Sequence, residues 1–128
     1  REDFANAALF PDAQKVLCLP EFAEIPLFIP FDSRTFVVIA TRGHRYDEEV
    51  LHQVLSRQVP YIGMVGSRSK NRIVFERLQK RGVSAAELDQ VHAPIGLSIH
   101  SDAPEEIAVS IMAEIIKIKA EQPLGKLS

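Results

Sequence analysis

Three short apolar runs along the chain predict β-strands. They are Val16–Leu19, Phe36–Ala40 and Tyr61–Val65. Their apolar residues are continuous instead of alternating with polar ones, which is typical of strands covered on both faces, as in a parallel sheet. Cys18 lies in the first run and is expected to be a small core residue of that strand.

Helical spacing of apolar residues alternates with these strands. The helix that follows the Tyr61–Val65 strand is expected to bury Ile73, Val74 and Leu78 and to end at Gly82. A short third helix carries Leu88 and Val91. Each helix is preceded by a residue that favours its start, because a polar side chain can accept a first-turn N–H group and proline suits the first turn. These residues are Asp47, Ser67, Ser84 and Pro104.

The last helix has the widest apolar face of the chain. Apolar residues recur from Ile107 to Ile116 at spacings of three and four, and Met112 among them is expected to lie in the core. Alternating strands and helices predict an α/β domain with a parallel sheet. Residues 1–128 are predicted to form a single domain. Three strands make a small sheet and no Gly-x-Gly-x-x-Gly turn occurs, so either the domain is unusual or its N-terminal part is missing from this chain.

Composition excludes several classes of protein. The chain of 128 residues is 46% hydrophobic and 25% charged, which is ordinary for a globular domain. Fifteen Lys and Arg against seventeen Asp and Glu give a net charge of −2, which argues against bulk binding to nucleic acid or to an anionic membrane. One cysteine makes no internal disulfide, and neither a membrane span nor a signal peptide is evident. We therefore expect a cytoplasmic protein.

Two polar segments follow predicted strands, at the sheet edge where open parallel sheets bind ligands. The first consists of Thr41, Arg42, Gly43 and His44, and the second runs from Gly66 and Ser67 through Arg68 to Lys70. At the second, a glycine turn before a helix offers free N–H groups to a phosphate or similar anion. The alternative is an ordinary serine cap with solvated basic residues. His44 is either a ligand-contacting group or an ordinary loop histidine.

Charge is segregated along the chain. Six basic side chains and one acidic side chain lie between Arg68 and Arg81. This pattern indicates either a solvated helix face or an electropositive rim suited to a phosphorylated ligand or an acidic partner. The histidines lack the spacing of a helical metal site, and we expect no structural metal. No nucleophile–base set is recognisable, so catalytic residues remain unassigned.

Five motifs in order resemble the C-terminal domain of the XdhC/CoxI family, the xanthine dehydrogenase accessory factors. The resemblance implies a Rossmann-like domain that lacks the family's first strand, glycine-rich turn, first helix and second strand. The five motifs are Thr41–His44, Asp47–Glu49, Tyr61–Arg68, His92–Leu97 and Pro104–Ala108.

The resemblance also implies a function. Family members bind molybdenum cofactor (molybdopterin), protect it during sulfuration by a cofactor sulfurase, and help deliver it to an apo molybdenum hydroxylase of the xanthine dehydrogenase type. On this chain, Ser67, Arg68 and Lys70 at the Gly66 turn would hold the cofactor's phosphate. The Thr41–His44 loop would face the ligand, and Pro94 and Gly96 would permit close backbone approach.

We expect such a protein to be an accessory factor and not a turnover enzyme. The alternatives are an NAD(P)-binding oxidoreductase domain, against which the missing glycine-rich turn counts, and a structural fragment. A sheet without its first strands exposes an edge and apolar faces. We therefore expect a homo-oligomer, or pairing with a chain that supplies the missing strands.

Overall fold

The computed structural model describes residues 5–18 and 29–122. Three strands and four helices alternate within these ranges. The strands are β1 (Phe36–Ile39), β2 (Tyr61–Met64) and β3 (Val91–His92). The helices are α1 (His44–Leu55), α2 (Arg68–Lys80), α3 (Ala85–Leu88) and α4 (Pro104–Glu121).

The three described strands form one parallel sheet in the order β1-β2-β3. Phe36 is opposite Tyr61, Ile39 is opposite Met64, and Gly63 is opposite His92. Successive parallel strands joined through helices confirm the predicted α/β class. The carboxyl ends of all three strands therefore lie at one edge of the sheet.

The hydrophobic core lies between one face of the sheet and the helices α1 and α2. Ile39, Ile62 and Met64 belong to this core together with residues of both helices. Leu51 and Leu78 are completely buried in it, as the helical spacing predicts. Ile73 was expected in this core and is 42% exposed, so that prediction is wrong. At 100° per residue Ile73 falls to the side of the face that carries Val74 and Leu78.

The first predicted strand is not present among the described residues. Val16–Cys18 have no regular structure, and Leu19 lies outside the described ranges. Cys18 is exposed, so its prediction as a core residue is wrong. An isolated apolar run gains no ladder hydrogen bonds without a neighbouring strand, and β1 is bordered only by β2 in the described part of the chain. Propensity alone does not supply that neighbour.

Val91 also differs from its prediction. It was expected to continue the helix that carries Leu88, but α3 ends at Leu88 and Val91 pairs with Ile62 in the sheet. Ser84 caps this short helix as predicted, since its hydroxyl accepts the backbone N–H of Glu87 at 3.1 Å. Pairing with β2 gives the backbone of Val91 its hydrogen-bond partners. Extending the four-residue helix α3 to Val91 would not have done so.

Helix α4 starts at Pro104 as predicted, but its buried side is rotated away from the predicted apolar face, of which Ile107, Ile111 and Ile115 are only partly buried. Its buried residues are Ser110 and Glu114. Met112 and Ile116 are exposed by 54% and 62%, so the expectation that Met112 lies in the core is wrong. At its N-terminus, a Glu106 carboxylate oxygen accepts the backbone N–H groups of Asp102 and Ala103. These two hydrogen bonds lower the pKa of Glu106.

Candidate functional site

Three loops leave the carboxyl edge of the sheet side by side. Backbone hydrogen bonds tie them together at their roots: Val65 N–H donates to Ile39 O at 2.9 Å, and Ile95 N–H donates to Met64 O at 3.2 Å. The predicted site residues are distributed over these loops. Thr41, Arg42, Gly43 and His44 follow β1; Gly66, Ser67, Arg68 and Lys70 follow β2; Pro94 and Gly96 follow β3.

The loop after β1 is held by Thr41 and Asp47. The Thr41 hydroxyl donates to Asp47 Oδ1 at 2.6 Å, and the Thr41 backbone N–H reaches the same oxygen at 3.3 Å. Asp47 is buried. It was expected to be the N-cap of its helix, but Gly43 occupies the N-cap and Asp47 lies in the first turn. Thr41 therefore fixes the loop through its hydroxyl.

The other side chains of this loop lie at the surface. Arg42 and His44 are both exposed, and His44 is the first residue of α1. The imidazole makes no hydrogen bond within residues 5–18 and 29–122, so it is accessible to a ligand. Gly43 has φ −161°, an extended conformation that any residue adopts, and a Cβ there would meet no atom within 4 Å.

The turn after β2 is where the sequence predicts an anion site. Ser67 is the N-cap of α2, as predicted, and its hydroxyl accepts the Lys70 N–H at 3.3 Å. The backbone N–H groups of Arg68 and Ser69 keep no partner in the described part of the chain. They lie at the positive end of the α2 dipole, beside the exposed side chains of Arg68 and Lys70.

Sequence reasoning missed Asn71 on α2, whose buried side chain supports this turn. Asn71 is 4% exposed, and its Nδ2 donates to Gly66 O at 3.2 Å. Its Oδ1 is buried with no hydrogen-bond partner among the described residues. A Cβ on Gly66 would lie 2.8 Å from that oxygen, and Gly66 has φ +151°. Position 66 therefore needs glycine both for its backbone conformation and for the close approach of Asn71.

The loop after β3 is shaped by contact with α4. The Ala93–Pro94 peptide bond is cis, and Gly96 has φ +96°. A Cβ on Gly96 would overlap Ser110, so the close approach that this glycine permits in the structure is that of α4. Leu97 N–H donates to Ser110 O at 3.1 Å, which holds the end of the loop. Pro94 is exposed beside it.

A buried polar cluster, also missed, anchors this loop. Glu114 Oε1 accepts the Tyr61 hydroxyl at 2.7 Å and the Gly96 N–H at 3.0 Å, and it lies 3.5 Å from His92 Nδ1. The Tyr61 and His92 rings stack at 4.8 Å. Burial, and then the hydrogen bond and charge of Glu114, raise the pKa of Tyr61, which keeps this hydroxyl a donor. The signal in the sequence was two polar residues four apart, Ser110 and Glu114, inside an apolar helix.

The predicted electropositive rim is narrower than the sequence indicates. Arg77 Nε and Arg81 Nη1 both bind the carboxylate of Glu48, which is buried on α1. Arg81 also lies 3.7 Å from Glu49. These contacts join α1 to α2 and neutralise two of the six basic side chains. Arg68 and Lys70 make no ion pair in the described part of the chain, so two positive charges remain at the turn after β2.

Glu48 makes the stability of the chain depend on acid pH. Burial alone would raise the pKa of Glu48, but the hydrogen bonds and charges of Arg77 and Arg81 lower it below 4.5. Its stabilising contribution is therefore complete above about pH 5 and is lost as pH falls through the lowered pKa.

We expect Glu48→Gln to lower the free energy of unfolding at pH 7 by about 1–2 kcal/mol, since both arginines are partly solvated. Urea unfolding between pH 7 and pH 3 should show a smaller loss for this variant than for the native chain. Glu76→Gln, at an exposed weak pair with Arg72, is the control. Equal pH profiles for Glu48→Gln and the native chain would contradict this expectation.

A groove with a volume of about 580 Å³ opens beside the β2 and β3 loops. It lies between α2, α3 and the cis-Pro94 segment, and it joins residues from two of the three loops. Two predicted site residues, Arg68 and Pro94, lie in its wall. The other lining residues are Asn71, Arg72, Phe75, Glu76, Gln79, Ala85, Leu88, Asp89 and Ala93. The groove wall combines an aromatic ring, Phe75, with two guanidinium groups, Arg68 and Arg72, and two carboxylates, Glu76 and Asp89.

Neither a metal cluster nor a membrane-spanning helix occurs among the described residues. Residues 5–18 and 29–122 contain no group of three or more His, Cys, Asp or Glu side chains placed to hold a metal ion. Within the same ranges, no helix is both long enough and apolar enough to cross a membrane.

The parallel sheet, its flanking helices and the polar loops at its carboxyl edge define a Rossmann-like α/β domain. Comparison with known families agrees with this class. Residues 1–115 match the family described as the XdhC Rossmann domain. The chain belongs to this family, which confirms the resemblance found in its motifs.

Two relatives are named for xanthine dehydrogenase or for molybdenum cofactor insertion. The chain is 32% identical over 122 residues to a Bacillus subtilis protein described as a probable xanthine dehydrogenase subunit. It is 24% identical over 91 residues to the molybdenum cofactor insertion chaperone PaoD of Escherichia coli. A crystal structure of a xanthine dehydrogenase from Bacillus halodurans has 32% identity and a TM-score of 0.74, with all of this chain covered.

The chain spans about a third of the length of these relatives. The alignments cover 93% of this chain and 34% of the Bacillus subtilis protein, and 71% of this chain and 29% of PaoD. The Bacillus halodurans structure is covered to 37%. The shared region is therefore one part of larger proteins.

Proposed function

We propose that this chain is the molybdenum-cofactor-binding domain of a maturation factor for a xanthine dehydrogenase-type molybdenum hydroxylase. The observation that carries the proposal is the turn after β2, where unpartnered N–H groups and two basic side chains surround Ser67 at the start of α2 in the described part of the chain. Membership of the XdhC family supports the choice of cofactor, and PaoD is a relative whose name states that function.

The residues present fit the anionic end of molybdopterin. The backbone N–H groups of Arg68 and Ser69 and the charges of Arg68 and Lys70 would hold its phosphate. Asn71, with an unsatisfied buried oxygen against Gly66, keeps the turn in the shape that exposes those N–H groups. The bound cofactor supplies the molybdenum chemistry of the recipient enzyme, and this chain holds and orients it.

The remaining loops would shape the rest of the site. Arg42, Gly43 and His44 would face the ligand from the β1 loop, which Thr41 and Asp47 hold in place. Pro94 would border the cofactor on the β3 side, next to the groove that also contains Arg68. Gly96 would keep this loop close to α4 and so set the width of the site.

The biological setting follows from the same proposal. The domain formed by residues 1–128 would protect the cofactor while a sulfurase modifies it, and would then pass it to the apo hydroxylase in the cytoplasm. We assign it no catalytic residue, because the side chains near the site either bind the anionic group of the cofactor or hold the loops in place. It acts as an accessory factor, not as a turnover enzyme.

Removing the side chains that bind the phosphate should weaken cofactor binding. We expect Arg68→Ala to raise the dissociation constant for molybdenum cofactor about tenfold, as one charge-assisted hydrogen bond to phosphate contributes about 1.5–3 kcal/mol. Ser67→Ala should raise it less, because the Ser67 hydroxyl is already bonded to Lys70 N–H. Bound pterin is measured by fluorescence after oxidative release from the protein.

Lys80→Ala is the matched control, since Lys80 is an exposed base at the other end of α2. Equal affinities for Arg68→Ala and Lys80→Ala would remove the β2 turn from the proposal. If the native chain retains no pterin, the maturation function is wrong. Quenching of reduced nicotinamide fluorescence by the native chain would then favour the NAD(P)-binding alternative.

A further inference from the structure

Helix α4 carries an apolar face that nothing in the described residues covers. Val109, Met112 and Ile116 are exposed by 61%, 54% and 62%. Ser110 and Glu114 on the same helix are buried against the sheet and the β3 loop. At 100° per residue the two sets lie about 150° apart around the helix axis. The apolar face therefore points away from the sheet, and a strand added beside β1 would not cover it.

The exposed positions form a seam with the spacing of a coiled coil. From Glu105, the seam continues through Val109, Met112 and Ile116 to Lys119, with steps of four, three, four and three residues. This is the spacing of the a and d positions along which two helices pack. Glu105 and Lys119 are exposed, and neither makes an ion pair within residues 5–18 and 29–122. The seam is thus apolar in the middle and oppositely charged at its two ends.

We propose that two copies of this chain associate through antiparallel α4 helices, with Met112 at the two-fold axis. Glu105 is seven residues before Met112, and Lys119 is seven residues after it. Antiparallel pairing about Met112 therefore places Glu105 opposite the partner subunit's Lys119, twice in each dimer. Parallel pairing would place like charges opposite each other. The charge pattern selects a second copy in the antiparallel orientation.

The interface has the dimensions of a reversible dimer. Fourteen residue steps of 1.5 Å give a seam about 21 Å long. A single pair of helices of this length is at the small end of specific interfaces, so we expect dissociation in the micromolar range. The proposal does not depend on the function of the β2 turn. The seam lies on one face of α4, and a different face of the helix contacts the β3 loop of the candidate site.

Charge reversal tests the orientation in the whole chain. We expect Glu105→Lys and Lys119→Glu each to raise the dimer dissociation constant at least tenfold, measured by sedimentation equilibrium. The double variant restores opposite charges at both contacts and should return to within threefold of the native value. Lys117→Glu changes the same charge on the same helix outside the seam and is the matched control.

The double variant separates pairing from folding. Both reversals place an unfavourable charge near an end of the α4 dipole, so a purely structural effect would add in the double variant and would not be rescued. Native-like circular dichroism for all variants confirms that the fold is intact. A native chain that stays monomeric at 100 μM, or a double variant as weak as the single ones, would overturn the proposal.

Cross-linking locates the two-fold axis. In a Cys18→Ser background, Met112→Cys should form an intermolecular disulfide at least tenfold faster than Lys117→Cys, because residue 112 faces its own copy across the axis. Equal rates for the two cysteines would place the contact elsewhere and contradict the antiparallel seam.

Discussion

Gly96→Ala is expected to lower the free energy of unfolding by about 3 kcal/mol. Two costs combine at this position. A backbone φ of +96° disfavours any residue with a Cβ by roughly 1 kcal/mol. The new Cβ would also overlap Ser110 on α4, and forcing these groups apart costs about 1–3 kcal/mol. Urea denaturation followed by circular dichroism measures the change.

Gly82→Ala separates the two costs. Gly82 has φ +97°, almost the same as Gly96, but a Cβ there would meet no atom within 4 Å. We expect this variant to lose about 1 kcal/mol. The difference between the two variants is the contribution of the contact between Gly96 and Ser110. If both lose equal stability, α4 does not pack against the β3 loop as described.

Glu114→Ala is expected to be as damaging, with a loss of about 3–4 kcal/mol. The Glu114 carboxylate accepts the buried Tyr61 hydroxyl and the partly buried Gly96 N–H, and both donors would lose their acceptor. Each unsatisfied buried donor costs about 1–3 kcal/mol. Thermal and urea unfolding of the same variant measure the loss.

Glu114→Gln and Tyr61→Phe are the controls for this cluster. Glutamine keeps an acceptor oxygen and phenylalanine removes one donor, so each should lose about 1 kcal/mol. A loss under 1 kcal/mol in Glu114→Ala would show that water replaces the carboxylate and would contradict the buried cluster.

Alkaline pH should reveal the same cluster. Burial and Glu114 raise the pKa of Tyr61, so its contribution to stability is complete below about pH 10. The contribution is lost as pH rises above the pKa that tyrosine has in the unfolded chain. We expect Tyr61→Phe to flatten this alkaline loss when urea unfolding is measured as a function of pH.

The sequence predicted the elements whose signals are local. Ser67 and Ser84 cap their helices through their own hydroxyls, and Pro104 starts α4, because these effects involve residues within one turn. The continuous apolar runs of β1 and β2 were also recognisable. The run from Val16 failed because a strand requires a neighbour, which no local pattern supplies.

The candidate site also has features that local residues predict and features that only the packing of the helices determines. The Gly66–Ser67 turn was predicted from its residues, and the structure adds Asn71, whose contact with Gly66 depends on how α2 packs. The basic residues between Arg68 and Arg81 indicated either a solvated helix face or an electropositive rim. Glu48, 29 residues before Arg77, neutralises part of it from another helix.

Sequence by itself determined the α/β class, the starts of α2, α3 and α4, and the family, because these depend on periodicity, capping and motif order. Only the tertiary structure decided which face of α4 is buried. Its apolar residues satisfied every rule for a core helix, yet Glu114 and Ser110 face inward because Tyr61 and the Gly96 loop offer them hydrogen-bond donors and a close fit. Hydrophobic periodicity measures how apolar a face is, whereas the groups that the helix packs against determine which face is buried.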